Sequence, residues 1–229
     1  MSRDVLVVIP ARWGSSRFPG KPLQPICGVP MVEVVWANCA DAVGRENVIV
    51  ATDDRRIYDW VEGYGGLAMM TPENCATGTD RVAEVAKAHP ARLVVNVQGD
   101  EPTITPESIH SFIYESSYPW SCCYTRSSTM EVQMVVSERN TLQYADRRDL
   151  GTGLKQVGMY SFGSGLYRYF GAGKPRRTLE EKLDIEIMRL VDAGRDVRMC
   201  EVKQSTVPVD HPADLDKVEE WYDSHRFSS

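Results

Sequence analysis

Through its first half this 229-residue chain alternates short apolar runs with helix-length amphipathic segments, and few folds accept that alternation. Strands are expected at 4–9, 47–52, 67–70 and 92–97, with helices at 30–43, 55–64 and 79–88 between them. The expected fold is therefore α/β, a Rossmann-like open, mostly parallel sheet with helices on both faces. In helix 79–88, Val82, Val85 and Ala86 share a face, and Thr79 or Asp80 is placed to cap the start. Further on, a helix is expected at 106–117 and strands at 121–125 and 131–137. A polar loop at 139–154 is expected to lie over the site, and a strand at 156–162 and a helical piece at 164–170 follow it. Leu183, Ile187, Leu190 and Val191 mark a buried stripe on one helix over 178–193, before a strand at 197–203 and a last helix from Pro212. That last helix turns Leu215, Val218 and Tyr222 inward. No repeat or linker interrupts the chain, which reads as one domain over 1–229, with 103–175 forming a small β-rich lobe for dimerisation or a lid.

Directly after the first strand come Pro10-Ala11-Arg12-Trp13-Gly14-Ser15-Ser16-Arg17-Phe18-Pro19-Gly20-Lys21-Pro22. Arg12, Arg17 and Lys21 stand here with no acidic residue among them, in a chain whose net charge is −6. Like charges so close repel unless an anion sits between them. Small residues with free backbone N–H groups add to the attraction, so the loop is expected to hold a nucleoside triphosphate. It is neither G-x-x-x-x-G-K-[ST], because Pro22 follows Lys21, nor G-x-G-x-x-G. Ligands of open parallel sheets bind beyond the carboxyl ends of the strands. Loop 10–21, segment 74–80 and Gln98-Gly99-Asp100-Glu101 all fall at that edge. Asp100 reads either as a turn aspartate or as a residue holding Mg²⁺ against a phosphate.

The acidic balance opposes a nucleic-acid partner. No stretch is long enough to cross a bilayer and no leader pattern opens the chain, so a cytoplasmic protein without a membrane partner is expected. Six scattered cysteines without C-x-x-C, and four histidines without H-E-x-x-H, signal neither a zinc nor a redox centre.

Three blocks carry a resemblance. Pro10-Ala11-Arg12-x-x-Ser15-Ser16-Arg17-x-Pro19-Gly20-Lys21-Pro22-Leu23, then Gly78-Thr79-Asp80-Arg81-x-Ala83-Glu84-Val85, then Asn96-Val97-Gln98-Gly99-Asp100-Glu101-Pro102 occur in that order. Together they resemble the sugar-acid cytidylyltransferases, above all the 3-deoxy-manno-octulosonate (Kdo) branch, which makes CMP-sugars from CTP. The resemblance implies Arg17, Lys21 and Asp100 as catalytic residues. It implies nucleotide contacts from Ala11, Arg12, Ser15, Ser16, Gly78, Thr79, Arg81 and Gln98. Val209-Asp210-His211-Pro212-x-Asp214-Leu215 is similar to a family block whose first aspartate binds metal, so Asp210 would join Asp100 on Mg²⁺. By its position alone, Asp210 also reads as a helix cap.

The acceptor half departs from the family. Kdo enzymes carry Tyr-Phe-Ser-Arg and later His-x-Gly-Ile-Tyr, whereas this chain has Tyr144-Ala145-Asp146-Arg147 and then, after a shorter interval, Gln156-Val157-Gly158-Met159-Tyr160. Gln98, Arg147, Gln156, Tyr160 and Glu180 are expected to line the acceptor pocket, with Arg147 gripping a carboxylate or phosphonate bidentately. The expected reaction is Mg²⁺-dependent transfer of CMP from CTP to an acidic acceptor such as Kdo, releasing pyrophosphate, in a homodimer. Because Gln156 replaces an imidazole by an amide, a phosphonate acceptor is an alternative. A glycosyltransferase of similar fold, with Asp53-Asp54 on the metal, is another, but it leaves Arg17, Lys21 and 96–102 without a role.

Overall fold

Alternate residues of the first strand face opposite layers, and both layers are apolar, so this strand becomes the middle of the molecule. The computed structural model describes residues 3–14, 17–116, 119–127, 131–204 and 206–225. In chain order its elements are β1 (Arg3–Ala11), the two-residue strands β2 (Pro25–Ile26) and β3 (Val29–Pro30), α1 (Met31–Val43), β4 (Val48–Thr52), α2 (Arg55–Gly63) and β5 (Leu67–Met70). Next come α3 (Gly78–Ala88), β6 (Ala91–Val97), α4 (Pro106–Glu115), β7 (Trp120–Arg126), β8 (Gln133–Val136), β9 (Leu142–Asp146) and β10 (Leu154–Phe162). The chain finishes with α5 (Thr178–Leu183), α6 (Met188–Asp192), β11 (Arg198–Glu201) and α7 (Asp214–His225).

The main sheet runs β11-β7-β10-β6-β1-β4-β5. Only β10 is antiparallel to its neighbours on that path, and the hairpin β8–β9 hangs from β10. Val7, Ile9, Val48 and Val50 pack under α1, α2 and α4. On the other face Leu6, Val8, Ile49 and Val94 pack under α3 and α6. Each fully buried aliphatic side chain contributes about 1.5–3 kcal/mol, which accounts for the unbroken apolar run of β1. The chain leaves β1 for β4 on one side, and β6 docks on the other, so a crevice opens beyond the carboxyl ends of β1 and β6.

Several sequence expectations change in detail. β1 continues through Pro10 and Ala11, which pair in register with Ala51 and Thr52, so the loop proper starts at Arg12. The cap of α3 is Thr77, in a capping box with Asp80, rather than Thr79 or Asp80. Residues 139–154 are not all loop, because Leu142–Asp146 pairs with β8. Within 103–175, β7 and β10 are members of the main sheet and the hairpin β8–β9 projects from it.

The helix expected over 178–193 is two short helices. The break falls at Asp184, whose φ is +54°, and it lets Ile185 and Ile187 reach the core while Glu186 between them turns toward the crevice. Of the six cysteines five are buried and Cys27 is exposed. Among the described residues no helix is long and apolar enough to cross a membrane.

Candidate active site

Beyond β1 and β6 lies a cavity of about 510 Å³. Its floor depends on close backbone approach. A Cβ on Gly99 would stand 2.7 Å from the Pro10 carbonyl oxygen, so only glycine lets the loop after β6 lie against the end of β1. Gly158 serves the same end from the opposite side, at an irregularity of β10 between Val157 and Tyr160. Its carbonyl accepts from Gln98 N–H at 2.8 Å and its N–H donates to Glu101 Oε1 at 2.9 Å. The irregularity draws β10 onto residues 98–101, and Gln156 and Tyr160 line the cavity beside them.

The cationic loop meets both aspartates. Lys21 Nζ donates to Asp100 Oδ2 at 2.8 Å and to the Val209 carbonyl at 2.6 Å. Arg17 pairs with Asp210 at 2.9 Å, and the Val209 N–H donates to the Asp100 carbonyl at 2.8 Å. The turn carrying Asp210 is fixed by Asp214, whose Oδ2 accepts from the N–H groups of Asp210 and His211 at 3.0 and 2.9 Å. Asp214 thus serves the helix start while Asp210 remains on the cavity. Arg12 also lines the cavity, is exposed, and has no ion-pair partner among the described residues. Ser15 and Ser16 lie outside the described residues.

Around the start of α3, Gly78 lines the cavity and Arg81 reaches it from a buried position. The Arg81 guanidinium is committed, pairing with Asp53 and donating to Thr71 Oγ1 at 2.9 Å and the Pro72 carbonyl at 3.2 Å. Thr79 is buried and receives a hydrogen bond from Asn96 at 3.0 Å. Ala11 ends β1 on the cavity wall, and Gln98 lies between this wall and the opposite side.

On that opposite side, Arg147 at the end of β9 is exposed, lines the cavity and has no ion-pair partner among the described residues. Gln156 donates to the Tyr160 hydroxyl. Burial pushes the Tyr160 phenol well above its ordinary range, so it stays a neutral donor and acceptor.

Glu180 does not belong with these residues. Its carboxylate is fully buried and holds Arg189, which also pairs with Asp80 at 2.7 Å. A buried guanidinium demands such partners, and removing one costs about 3–5 kcal/mol, so Glu180 is a fold residue rather than an acceptor contact. Glu186 takes the place expected of it. This carboxylate lines the cavity and accepts from the N–H groups of Gly78 and Thr79, both at 2.9 Å, and from the Thr79 hydroxyl. Burial raises its pKa despite those donors. The signal for it lay in the sequence as a lone acid between Ile185 and Ile187.

Glu101, next to Asp100, is buried at 5% exposure. Burial, with Asp100 beside it, raises its pKa to about 7. The carboxylates of the glycosyltransferase alternative are engaged elsewhere. Asp53 pairs with Arg81, while Asp54 caps α2 and pairs with Arg56 at 2.6 Å.

Asp100 and Asp210 fit a hard divalent ion. Among the described residues no three acidic, histidine or cysteine side chains gather into a full metal shell. Two carboxylates facing an open cavity are the donor set for an ion that keeps waters and takes phosphate oxygens.

Comparison with known proteins gives a consistent picture. A cytidylyltransferase family model matches residues 6–149. The 8-amino-3,8-dideoxy-manno-octulosonate cytidylyltransferase of Shewanella sp. (strain W3-18-1) is 35% identical over 95% of this chain and 98% of its own length. The 3-deoxy-manno-octulosonate cytidylyltransferase of Myxococcus xanthus is 37% identical over 93% of this chain and 94% of its own. Among solved structures, a CMP:2-keto-3-deoxy-manno-octonic acid synthetase complexed with CTP superposes with a TM-score of 0.84 at 33% identity, covering 97% of this chain and 99% of that one. The 4-diphosphocytidyl-2C-methyl-D-erythritol synthase of Anaerococcus prevotii shares the fold, with a TM-score of 0.68 at 15% identity over 96% of this chain and 99% of that one.

Proposed function

This chain belongs to the cytidylyltransferase family, and from that premise we propose that it transfers CMP from CTP to a sugar acid of the 3-deoxy-manno-octulosonate type, releasing pyrophosphate. The observation that carries the reading is the pairing of Lys21 with Asp100 and of Arg17 with Asp210 across one cavity, opposite the unpaired Arg147. Support for the acceptor class comes from the names of the Shewanella and Myxococcus relatives.

An acceptor hydroxyl attacks the α-phosphorus of CTP, and the bond to the bridging oxygen of the β-phosphate breaks. Pyrophosphate leaves with that electron pair and the hydroxyl proton passes to solvent. Arg17 and Lys21 neutralise the charge that grows on the phosphoryl oxygens, by position and field rather than by covalent chemistry. Asp100 and Asp210 would hold Mg²⁺, which would supply positive charge at the phosphates. Before nucleotide binds, Lys21 and Arg17 satisfy the two carboxylates, and these same side chains are then free to turn to the triphosphate. Arg12 gives a further contact to the triphosphate, and the Gly78 end of α3 faces the nucleotide. Arg147 grips the acceptor carboxylate, while Gln156, Tyr160 and Glu186 meet hydroxyls, an inventory of neutral and acidic groups suited to a polyol. The protein acts as a homodimer, for which the half-exposed Val135 on β8 offers an apolar contact.

The test is pyrophosphate release from each nucleoside triphosphate with Mg²⁺ and a panel of sugar acids and phosphonates. The reading requires release with CTP and a 3-deoxy sugar acid. Release only with a phosphonate would move the acceptor class, and no release with any pair would end the proposal.

A further inference from the structure

Residues 168–177 carry four cations, Arg168, Lys174, Arg176 and Arg177, without an acidic residue among them. They line a second cavity, equal to the first at about 510 Å³. Arg176 lines both cavities. Its guanidinium is engaged, donating to the Glu180 carbonyl and to Asp184 Oδ1, each at 2.9 Å. The side chains of Arg168, Lys174 and Arg177 are exposed and have no carboxylate partner among the described residues. Glu181 and Asp192 are the acids of this groove, so cations outnumber them two to one.

The cations stand on a fixed frame. The Gly171 N–H donates to the buried Asp80 at 2.9 Å, the Ala172 N–H to Glu84 at 2.7 Å, and the Lys174 N–H to the Gly171 carbonyl at 3.0 Å. Tyr169, on the groove wall, has its carbonyl held by Arg189 at 3.1 Å and its ring set edge-on to Trp120 at 5.6 Å. Charges on a pinned backbone bind an anion with less ordering to overcome than charges on a free loop. In a chain of net charge −6 such an excess is local, and its field points into a concave surface that touches the catalytic cavity.

We propose that this groove is a binding site for a phosphate-type oxyanion, adjoining the catalytic cavity across Arg176. Two sources carry that chemistry. One is free phosphate or pyrophosphate, and the other is a phosphate ester at the far end of an extended acceptor. The second source rests on the proposed transferase reaction, whereas the first does not.

The experiment pairs Lys174→Ala/Arg177→Ala with a control of equal charge change on distant exposed arginines, Arg55→Ala/Arg92→Ala. Inorganic phosphate is titrated calorimetrically into the full chain saturated with Mg²⁺ and a non-hydrolysable CTP analogue. In parallel, KM is measured for a 3-deoxy sugar acid with and without a terminal phosphate ester. The groove variant should bind phosphate at least tenfold more weakly than parent and control, or show a KM at least tenfold higher for the phosphorylated acceptor alone. The first result identifies the free anion as the source and the second the acceptor. Phosphate binding within twofold of the parent together with unchanged KM values overturns the site, as does absence of phosphate binding by the parent with no KM effect. Should no acceptor turn over at all, the calorimetric arm still decides.

Discussion

The wall proposed to hold the nucleotide and the wall proposed to hold the acceptor are built in different ways. On the first, a contiguous loop sets Arg17 and Lys21 against Asp100 and Asp210, so these four charges are paired, and α3 begins at the rim with a full capping box. The second collects Arg147, Gln156, Tyr160 and Glu186 from β9, β10 and the break between two short helices, and its arginine is unpaired. A phosphate chain is the same in every reaction of a nucleotide, so its wall can be paired and rigid beforehand. The acceptor wall presents single polar groups that can be exchanged without disturbing the sheet.

Breaking the first wall should have the largest effect. Asp100→Ala removes a carboxylate that is one-third exposed, so turnover should fall at least about a thousandfold while thermal stability stays within about 1 kcal/mol of the parent. A melting temperature lowered by many degrees would show instead that Asp100 holds the fold. Against the second wall, Arg147→Ala should raise the acceptor KM about 10- to 100-fold and leave the CTP KM unchanged, since a bidentate ionic contact contributes about 1.5–3 kcal/mol. Equal changes in both KM values would erase the division between the walls.

Glu186 joins the two walls, because its carboxylate accepts both N–H groups at the start of α3 and sits beside Gln98. Glu186→Gln keeps the shape but loses a charged acceptor, so both KM values should rise, each by about tenfold or less. An effect confined to the acceptor would place Glu186 wholly on the second wall.

The last effect is on stability rather than turnover and concerns Glu101, beneath both walls. Burial raises its pKa from 4.5 to about 7 in the folded chain. A carboxyl whose folded pKa lies above its unfolded one keeps more protons when folded, so stability declines as pH rises between those two values. In metal-free and nucleotide-free protein, the parent should lose up to about 3 kcal/mol of unfolding free energy from pH 4.5 to 7 relative to Glu101→Gln. Denaturant melts of the pair at intervals over that range measure the slope, and parallel curves would show that folding leaves the Glu101 pKa unchanged.

The same division explains what the sequence disclosed. The apolar runs of β1, β4 and β6 and the cations of one loop are local features, and their consequences follow from periodicity and charge. The end of β1 was misjudged because Pro10 looks like a turn residue although it sits in register against Ala51. The sequence points to Glu180 and passes over Glu186 because a continuous helical stripe hides a left-handed residue. Asp184 at φ +54° redirects the chain after it, so Glu180, before the break, stays on the buried Arg189 while Glu186, after it, faces the cavity. Nothing in residue spacing marks that break, since Asp is ordinary in a helix and its left-handed state is selected by the burial of Ile185 and Ile187. β9 was hidden for a related reason, because its polar sequence becomes a strand by pairing with β8.

The central claim is that one triphosphate lies between the cationic loop and the two aspartates. A crystal structure of this chain with CTP and Mg²⁺ tests it most directly. The account predicts phosphate oxygens within hydrogen-bonding distance of Arg17 and Lys21, and a metal ion ligated by both Asp100 and Asp210. A metal on Asp53 or Asp54, or a triphosphate away from residues 12–21, would contradict it.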